Sequence, residues 1–219
     1  MAKGSKVKTK VATLKYVNIT GEGKNNAMKG EEPRMQYTAS IVCPKDGDVH
    51  KHFQAQVDAE WDAYKKAQGI KGLPKTNGIK DELKDDPSGE IDPATEAVKK
   101  IPTGNVLITF KTNTKWADGN AQVIKVYAGP KGDQDITAAV QRAAWTIGNE
   151  STGIIHGVAQ GNNIGGTQKV TLYLSAIQLA KLVKYEGDTI ETEEIDGAED
   201  IDLGDDIAGI DTEQSGPNL

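Results

Sequence analysis

Lysine or arginine side chains alternate with aromatic ones on several segments that favour β-structure. Proteins that hold single-stranded nucleic acid without reading its sequence combine cations along the phosphates with aromatic faces under the bases, and each stacked base contributes ~1–3 kcal/mol. The alternative is that the tyrosines are ordinary strand aromatics facing the core. The residues that this pattern predicts to bind nucleic acid are Lys15, Tyr16, Arg34, Tyr37, Lys111, Lys115, Trp116, Lys125, Tyr127, Lys169 and Tyr173.

Tyr127 has the best support as a stacking residue. Side chains two positions apart on a strand share a face, so Lys125 and Tyr127 point the same way. The immediate neighbours Lys15 and Tyr16 point to opposite sides. The pattern therefore favours Tyr127 over Tyr16.

Residue sets that could bind a metal or catalyse a reaction are weak. His50 and His52 stand two apart on a predicted helix and so point to different faces, and Cys43 is the only cysteine. No Gly-Lys-Ser/Thr sequence follows a glycine cluster, as a phosphate-binding loop would require. Acid pairs such as Asp85-Asp86 lie in predicted loops, where solvated carboxylates are common. The sequence predicts a non-enzymatic protein with no metal and no cofactor.

Residues 186–219 form a strongly acidic tail. They hold 13 carboxylates and no Lys or Arg, which leaves residues 1–185 with 26 basic and 19 acidic side chains, a net charge of +7. A cationic body with an anionic tail indicates a body that binds a polyanion and a tail that can compete with it. The tail's aliphatic residues stand singly among acids, so we predict that it is disordered. The alternative is a solubilising extension without a specific role.

Length and composition fit one domain followed by this tail. The 185 residues before the tail suffice for one sizeable core, so we expect a domain over 1–185 and the tail over 186–219. A single cysteine excludes an intrachain disulfide and favours the cytoplasm. No apolar run approaches the roughly 18–20 residues of a membrane helix, and no apolar signal core follows the N-terminus. Membrane association is not expected.

The first third of the chain predicts two strands and one long helix. Alternating residues indicate a strand at about 10–20 and a second over 34–43, which Pro44 ends. After them the period changes to that of a helix, with Asp48 as the predicted N-cap and Gly69 as the stop. The apolar face of this helix, predicted to be core, is Val49, Phe53, Val57, Trp61 and Tyr64.

The rest of the body predicts mostly strands. Residues 69–104 hold four prolines among mixed charges without a sustained period, which indicates a long loop or flap. Segments 106–116 and 122–127 predict a hairpin around the turn Asp118-Gly119-Asn120. The remaining predictions are a short helix over 136–146, a strand pair over 153–160 and 169–174 with a turn at 161–166, and an amphipathic segment over 175–183 capped by Ser175. Five or six strands with one principal helix predict a mainly β, OB-fold-like, partly open barrel.

Three short motifs and their order along the chain resemble a known family. They are Ile41-Val42-Cys43-Pro44-Lys45, Ile147-Gly148-Asn149-Glu150-Ser151 and Leu172-Tyr173-Leu174-Ser175-Ala176-Ile177-Gln178 before the acidic tail. With the basic first strand and the long helix, they resemble the OB-fold single-stranded DNA-binding proteins of tailed bacteriophages over roughly residues 10–219. The resemblance implies a groove that binds replicating single strands and a tail that engages replication proteins. Several such proteins end in an aromatic residue, whereas this chain ends in Gly216-Pro217-Asn218-Leu219.

Pattern and resemblance together predict a largely sequence-independent single-stranded DNA-binding protein of phage DNA replication and recombination, in the host cytoplasm. The tail is expected to compete with DNA and to recruit proteins such as a polymerase, helicase or primase. Its predicted partner-binding residues are Asp200, Asp202, Asp205, Asp206, Asp211 and Glu213. Two alternatives stay open, a single-strand annealing or recombination accessory protein and a protein-binding module without nucleic acid. Formation of a homo-oligomer also stays open.

Overall fold

The structure, a computed structural model, describes residues 4–27, 32–143 and 145–185. In chain order the strands are β1 (Ser5–Lys8), β2 (Ala12–Asn18), β3 (Lys24–Asn25), β4 (Met35–Pro44), β5 (Ile79–Asp85), β6 (Ile91–Asp92), β7 (Ala97–Val98), β8 (Lys100–Asn113), β9 (Lys125–Ala128), β10 (Gln134–Asp135), β11 (Thr146–Ile147), β12 (Thr152–Ile164), β13 (Thr167–Lys181) and β14 (Lys184–Tyr185). The helices are α1 (Asp48–Gln68) and α2 (Thr137–Arg142). The acidic tail and its predicted partner-binding residues lie outside the described residues.

One sheet of ten strands dominates the fold. Its order is β10-β9-β13-β12-β2-β4-β8-β5, with β1 paired to β12 and β3 paired to β4 beside this path. The pairs are antiparallel except for β9 with β13, which is parallel. β8 also lies against β13, and Val170 N donates to Thr76 O at 2.9 Å just before β5. The predicted mainly β fold with one long helix is confirmed, with ten strands in the sheet instead of five or six.

The core lies between the inner side of this sheet and α1. Strand alternation places the buried apolar residues of β4 and β8 on the inner side; they are Tyr37, Ala39, Ile41, Cys43, Val106, Ile108 and Phe110. Phe53 of α1 meets Phe110 edge to face, with 5.4 Å between ring centroids. Gly157 of β12 makes room for this ring, because a Cβ there would lie 2.7 Å from it. Each large side chain buried here stabilises the fold by ~1.5–3 kcal/mol.

Helix α1 follows the predicted apolar period. The fully buried apolar residues of its inner face are Phe53, Val57 and Trp61. Gly69 ends the helix in the left-handed conformation, φ 64°, which glycine adopts without a Cβ clash. The prediction of Asp48 as N-cap is wrong by one position, because Gly47 is the N-cap and Asp48 begins the helix. A carboxylate in the first turn still favours the positive end of the helix dipole. Neither helix in the described part of the chain could span a membrane.

The prediction that 69–104 is a long loop or flap is wrong. This segment contains β5, which pairs antiparallel with β8, and the short β6 and β7, which pair with each other. β5 is the edge strand of the large sheet, and its sequence Ile-Lys-Asp-Glu-Leu-Lys-Asp is mostly charged. An edge strand with both faces partly in solvent needs no apolar alternation, so no period marked it in the sequence.

The predicted hairpin over 106–116 and 122–127 is wrong in its pairing. Its turn forms, since Trp116 N donates to Asn120 O at 2.8 Å and Lys115 bridges Ala121. Beyond this turn the chain leaves β8, and β9 pairs with β13, with Val126 beside Ile177. Tertiary pairing with β13 therefore decides the position of β9, and the local turn does not.

The C-terminal half of the domain is mostly as predicted. β12 and β13 form the expected antiparallel pair and turn at Gly165-Gly166, but both strands are longer than predicted. The amphipathic segment predicted over 175–183 is wrong, because β13 continues to Lys181. The short helix predicted over 136–146 is confirmed as α2, but it ends at Arg142 and Thr146 belongs to β11. Before the first predicted strand the structure adds β1, which pairs with β12.

Candidate nucleic-acid interface

The adjacent strands β2, β4, β8 and β5 present one side of the sheet away from the core. In β8, Ile108 and Phe110 point inward, so Leu107, Thr109 and Lys111 point outward. The register of β2, β4 and β5 with their neighbours continues this side across the sheet, although Thr38 and Ser40 of β4 are buried on it. We call this surface the outer face, and its side chains are Lys15, Gln36, Thr38, Ser40, Lys80, Glu82, Thr103, Asn105, Leu107, Thr109, Lys111 and Asn113.

Three lysines share a cleft on the outer face, where β5 and β8 approach the hairpin of β12 and β13. The cleft has a volume of about 370 Å³ and is lined by Lys80, Lys111 and Lys169, which we call the lysine cleft. Leu107 and Leu172 add apolar surface beside them, and no acid occurs among the described residues of the lining. A site of this composition can bind a phosphate through the ammonium groups and the edge of a base through the apolar surface.

The charges in the lysine cleft are not neutralised by acids. None of its three lysines forms an ion pair with any residue in the described ranges, whereas Lys45 and Lys99 outside it do. Partial burial lowers the pKa of Lys111, and the positive charges of Lys80 and Lys24 lower it further. A bound anion would relieve this repulsion and favour the protonated form. The cleft is therefore electrostatically suited to phosphate.

A second cleft continues the cationic surface beyond the end of β8. Arg34 and Lys115 line it together with Asn113, and its volume is about 350 Å³. Asn113 stands two residues after Lys111 on the same side of β8, about 7 Å along the strand. Gln36 Nε2 donates to Asn113 Oδ1 at 3.0 Å and fixes that amide between the two clefts. The structure thus brings together four predicted residues, Arg34, Lys111, Lys115 and Lys169.

Two other lysines that were predicted to bind DNA are ion-paired with carboxylates. Lys15 Nζ lies 2.5 Å from Glu82 Oε1, and Lys125 Nζ lies 3.2 Å from Asp135 Oδ2. The hydrogen bonds that Glu82 accepts from Lys15 and Asn105 lower the pKa of its carboxyl to about 2, so it stays ionised at neutral pH. A phosphate would have to displace the carboxylate to reach Lys15.

The predicted aromatic residues differ widely in exposure. Trp116, in the turn after Lys115, is 57% exposed, and Tyr173 is exposed on β13. Tyr173 lies four residues from Lys169 on the same side of that strand, about 13 Å away. Tyr127 is half-buried on β9. Trp116 and Tyr173 therefore offer the more accessible ring faces.

Tyr37 has no ring face available for a base. Its side chain is 7% exposed on the inner side of β4, and its hydroxyl donates to Gly21 O at 3.0 Å. The aromatic ring packs in the core while the hydroxyl fixes the loop after β2. We therefore leave Tyr37 out of the interface, because its strand position fits the ordinary core role.

Tyr16 occupies a bulge in β2. The register between β2 and β4 shifts between Lys15 and Asn18, and Tyr16 has φ 53°, which is unusual for a bulky residue. Its ring is 60% exposed and lines a cleft of about 460 Å³ that Tyr185 also lines. Bulges often redirect a side chain next to a functional surface, and here the bulge turns Tyr16 outward.

The sequence pattern did not predict three residues that lie in or near these clefts, Lys80, Lys24 and Tyr185. Lys80 lies in the segment predicted as a loop, and Lys24 lies in a short strand that pairs with β4. Tyr185 directly precedes the tail and pairs with Thr146. The alternation Lys80-Asp81-Glu82 in a charged edge strand carries no signal that distinguishes Lys80 from an ordinary solvated lysine.

The histidine and cysteine residues have local roles. His50 Nδ1 accepts a hydrogen bond from Asp46 N at 3.0 Å, and Cys43 is buried in the core. No group of three or more His, Cys, Asp or Glu side chains in the described ranges is arranged to hold a metal ion.

Comparisons with known proteins find similarity in structure but not in sequence. No protein-family model matches the chain, and no curated protein matches it. Its fold is similar to that of gp2.5, a single-stranded DNA-binding protein of bacteriophage T7, with a TM-score of 0.55 and 14% identity over 86% of this chain and 98% of that one. It is also similar to the single-stranded DNA-binding protein of bacteriophage Enc34 in complex with single-stranded DNA, with a TM-score of 0.52 and 15% identity over 83% of this chain and 89% of that one. A C-terminal truncation of the Enc34 protein is similar as well, with a TM-score of 0.51 and 16% identity over 80% of this chain and 85% of that one. The structural neighbours are thus phage single-stranded DNA-binding proteins.

Proposed function

We propose that this chain is a non-catalytic, largely sequence-independent single-stranded DNA-binding protein of phage DNA replication and recombination. The observation that carries the proposal is the lysine cleft, where Lys80, Lys111 and Lys169 meet without an acid in the described lining. The likeness of the fold to phage proteins with that activity supports it. None of the described residues that line the two clefts belongs to a helix that could read base edges in a groove, which fits binding without sequence preference.

The path of the strand follows from the positions of the cations. The sugar–phosphate chain runs along the outer face from the lysine cleft, past Asn113, to the cleft of Arg34 and Lys115. Exposed Trp116 at one end and Tyr173 near the other supply faces for the bases. Stacking on such rings tolerates any base because every base has a π-face.

The acidic tail has a regulatory part in this proposal. With 13 carboxylates, residues 186–219 can compete with DNA for the cationic surface. A flexible chain of this length spans on the order of 30 Å, enough to reach across a domain of this size. DNA that displaces the tail would free it to recruit a polymerase, helicase or primase.

The proposal is tested by titrating the full chain with single-stranded DNA, duplex DNA and RNA at two or more salt concentrations. If about four to six phosphates are bound, the log–log salt slope for single strands is about −3 to −4, at ~0.7 for each contact. Duplex DNA should bind more weakly, because stacking requires unpaired bases. A slope near zero for single strands would contradict nucleic-acid binding and would favour a protein-binding module.

A further inference from the structure

Glu82 places a carboxylate on the same outer face as the lysine cleft. Thr103 and Asn105 of β8 share the side of the strand that carries Lys111, because all are separated by even numbers of residues. Both donate to Glu82 Oε2, Thr103 Oγ1 at 2.8 Å and Asn105 Nδ2 at 3.0 Å. Lys15 Nζ donates to the other carboxylate oxygen at 2.5 Å. We call these four residues the Glu82 network.

The Glu82 network is built into the sheet. The register between β5 and β8 shifts between Asp81 and Leu83, at Glu82, so this residue lies at an irregularity of the edge strand. Its side chain is 11% exposed and meets three donors. Such a carboxylate is held in one position, in contrast to Asp81 and Asp85, the more exposed acids of β5.

The network gives the two ends of the outer face different electrostatic character. Asn105 lies six residues from Lys111, about 20 Å along β8, although Lys80 at the near edge of the lysine cleft stands only two residues from Glu82 on β5. At the Lys111 end the cations are available to an anion, whereas at the Asn105 end an ionised carboxylate neutralises Lys15. A phosphate that approached Lys15 would be repelled by the Glu82 carboxylate at close range. It would also have to compete with Glu82 for the neighbouring hydrogen-bond donors.

We propose that Glu82 ends the phosphate-binding track, meaning the row of cations on the outer face that bind phosphates. It thereby limits the number of phosphates that the outer face holds. It does this by keeping Lys15 out of the track. The inference rests on the proposed function, since it concerns the extent of the same interface.

The direct test is Glu82→Gln, which keeps the size and a hydrogen-bond acceptor but removes the charge. With Lys15 released, the salt slope for a single-stranded oligothymidylate should become steeper by about 0.7, the contribution of one further phosphate. Adding Lys15→Ala to this variant should return the slope to the wild-type value. Lys15→Ala alone should leave the wild-type slope unchanged, and this variant tests the inference even if Glu82→Gln does not fold.

Asp81→Asn is the matched control. It makes the same change of charge at the neighbouring residue and releases Lys45, whose Nζ lies 2.9 Å from Asp81 Oδ1. Asp81 alternates with Lys80 along β5 and so points to the other side of the strand. We expect no change in its salt slope. If the salt slope became equally steep in Asp81→Asn and Glu82→Gln, the change in net charge alone would explain the effect, and the inference would be overturned.

The outcomes also separate this inference from the proposed function. An unchanged slope in Glu82→Gln, together with a shallower slope in Lys111→Ala, would overturn the role of Glu82 and leave DNA binding at the lysine cleft intact. A drop in slope for Lys15→Ala in the wild-type background would show that Lys15 already binds phosphate and would overturn it too. Unchanged slopes in both Lys111→Ala and Glu82→Gln would overturn the proposed interface itself.

Discussion

Both ends of the outer face contain lysines, but only one end pairs its lysine with a carboxylate. At one end, Lys80, Lys111 and Lys169 line a cleft with no acid in its described lining. At the other, Lys15 is held by Glu82 at 2.5 Å within a hydrogen-bonded network. A lysine on an exposed strand is therefore not enough to predict phosphate binding. The partner that its ammonium already has decides whether an anion can use it.

The largest effect that this comparison predicts is loss of binding when the lysine cleft is neutralised. The triple substitution Lys80→Ala, Lys111→Ala and Lys169→Ala should make the salt slope shallower by about 2 and weaken binding on the order of 100-fold near 0.1 M salt. Titration of a single-stranded oligothymidylate over a salt series measures both quantities. The control triple is Lys45→Ala, Lys99→Ala and Lys125→Ala, whose side chains are already ion-paired. An equal loss in the control would remove the distinction between the two kinds of lysine.

Aromatic substitutions test the two ends of the outer face separately. Trp116→Ala and Tyr173→Ala, near the cationic end, should each weaken binding by ~1–3 kcal/mol if their exposed rings stack on bases. Tyr16→Ala, next to the neutralised Lys15, should have a smaller effect. Tyr127→Ala tests the choice that the sequence favoured. Circular dichroism of each variant controls for folding, and unchanged affinity in both Trp116→Ala and Tyr173→Ala would place the groove elsewhere.

Removal of the tail should strengthen binding at the cationic end. A chain ending at Tyr185 loses 13 carboxylates, and we expect several-fold to tenfold tighter binding at low salt, because the effective concentration of a tethered competitor is of order millimolar. The gain should shrink as salt screens the competition. In the lysine-cleft triple variant, the same truncation should give little gain. Equal affinities of the full and truncated chains at low salt would make the tail a solubilising extension.

The smallest predicted effect is a pH dependence that arises from Lys111. Its pKa lies below the ordinary 10.5, so its charge, and the attraction for phosphate that depends on it, is lost at a lower pH than for a lysine with the ordinary pKa. Affinity measured from pH 7 upward should therefore begin to fall before ordinary lysines titrate. Lys111→Arg keeps the charge at these pH values and should delay the fall. Identical profiles for the two proteins would mean that Lys111 does not contact phosphate.

Much of the fold followed from local patterns in the sequence. The apolar period of Phe53, Val57 and Trp61 predicted α1, because one face of a helix that packs on a sheet must be apolar. β5 could not be predicted, since a charged edge strand has no such requirement. The parallel pairing of β9 with β13 was also missed, because residues near 126 and 177 meet only in the tertiary structure.

The candidate site was predictable only in part, for the same reason. Lys111 and Lys169 were predicted from their strand positions, and the structure places them in one cleft. Lys80 joins them through β5, and Glu82 neutralises Lys15 from the same strand. Both effects depend on a strand that the sequence did not reveal. The sequence pattern showed that the residues of β4 alternate between two sides, but it did not show which side faces the core. Tyr37 was therefore predicted to bind nucleic acid, whereas it lies in the core.

The central claim is that single-stranded DNA occupies the lysine cleft and not the Lys15 end of the outer face. Lysine acetylation of the full chain, followed by mass spectrometry with and without an oligothymidylate, measures this for each residue. Lys80, Lys111 and Lys169 should be protected by the oligonucleotide, while Lys15 and the exposed, ion-paired Lys99 keep the same reactivity. Unchanged acetylation of the three cleft lysines, with protection at Lys15 or elsewhere, would contradict the account.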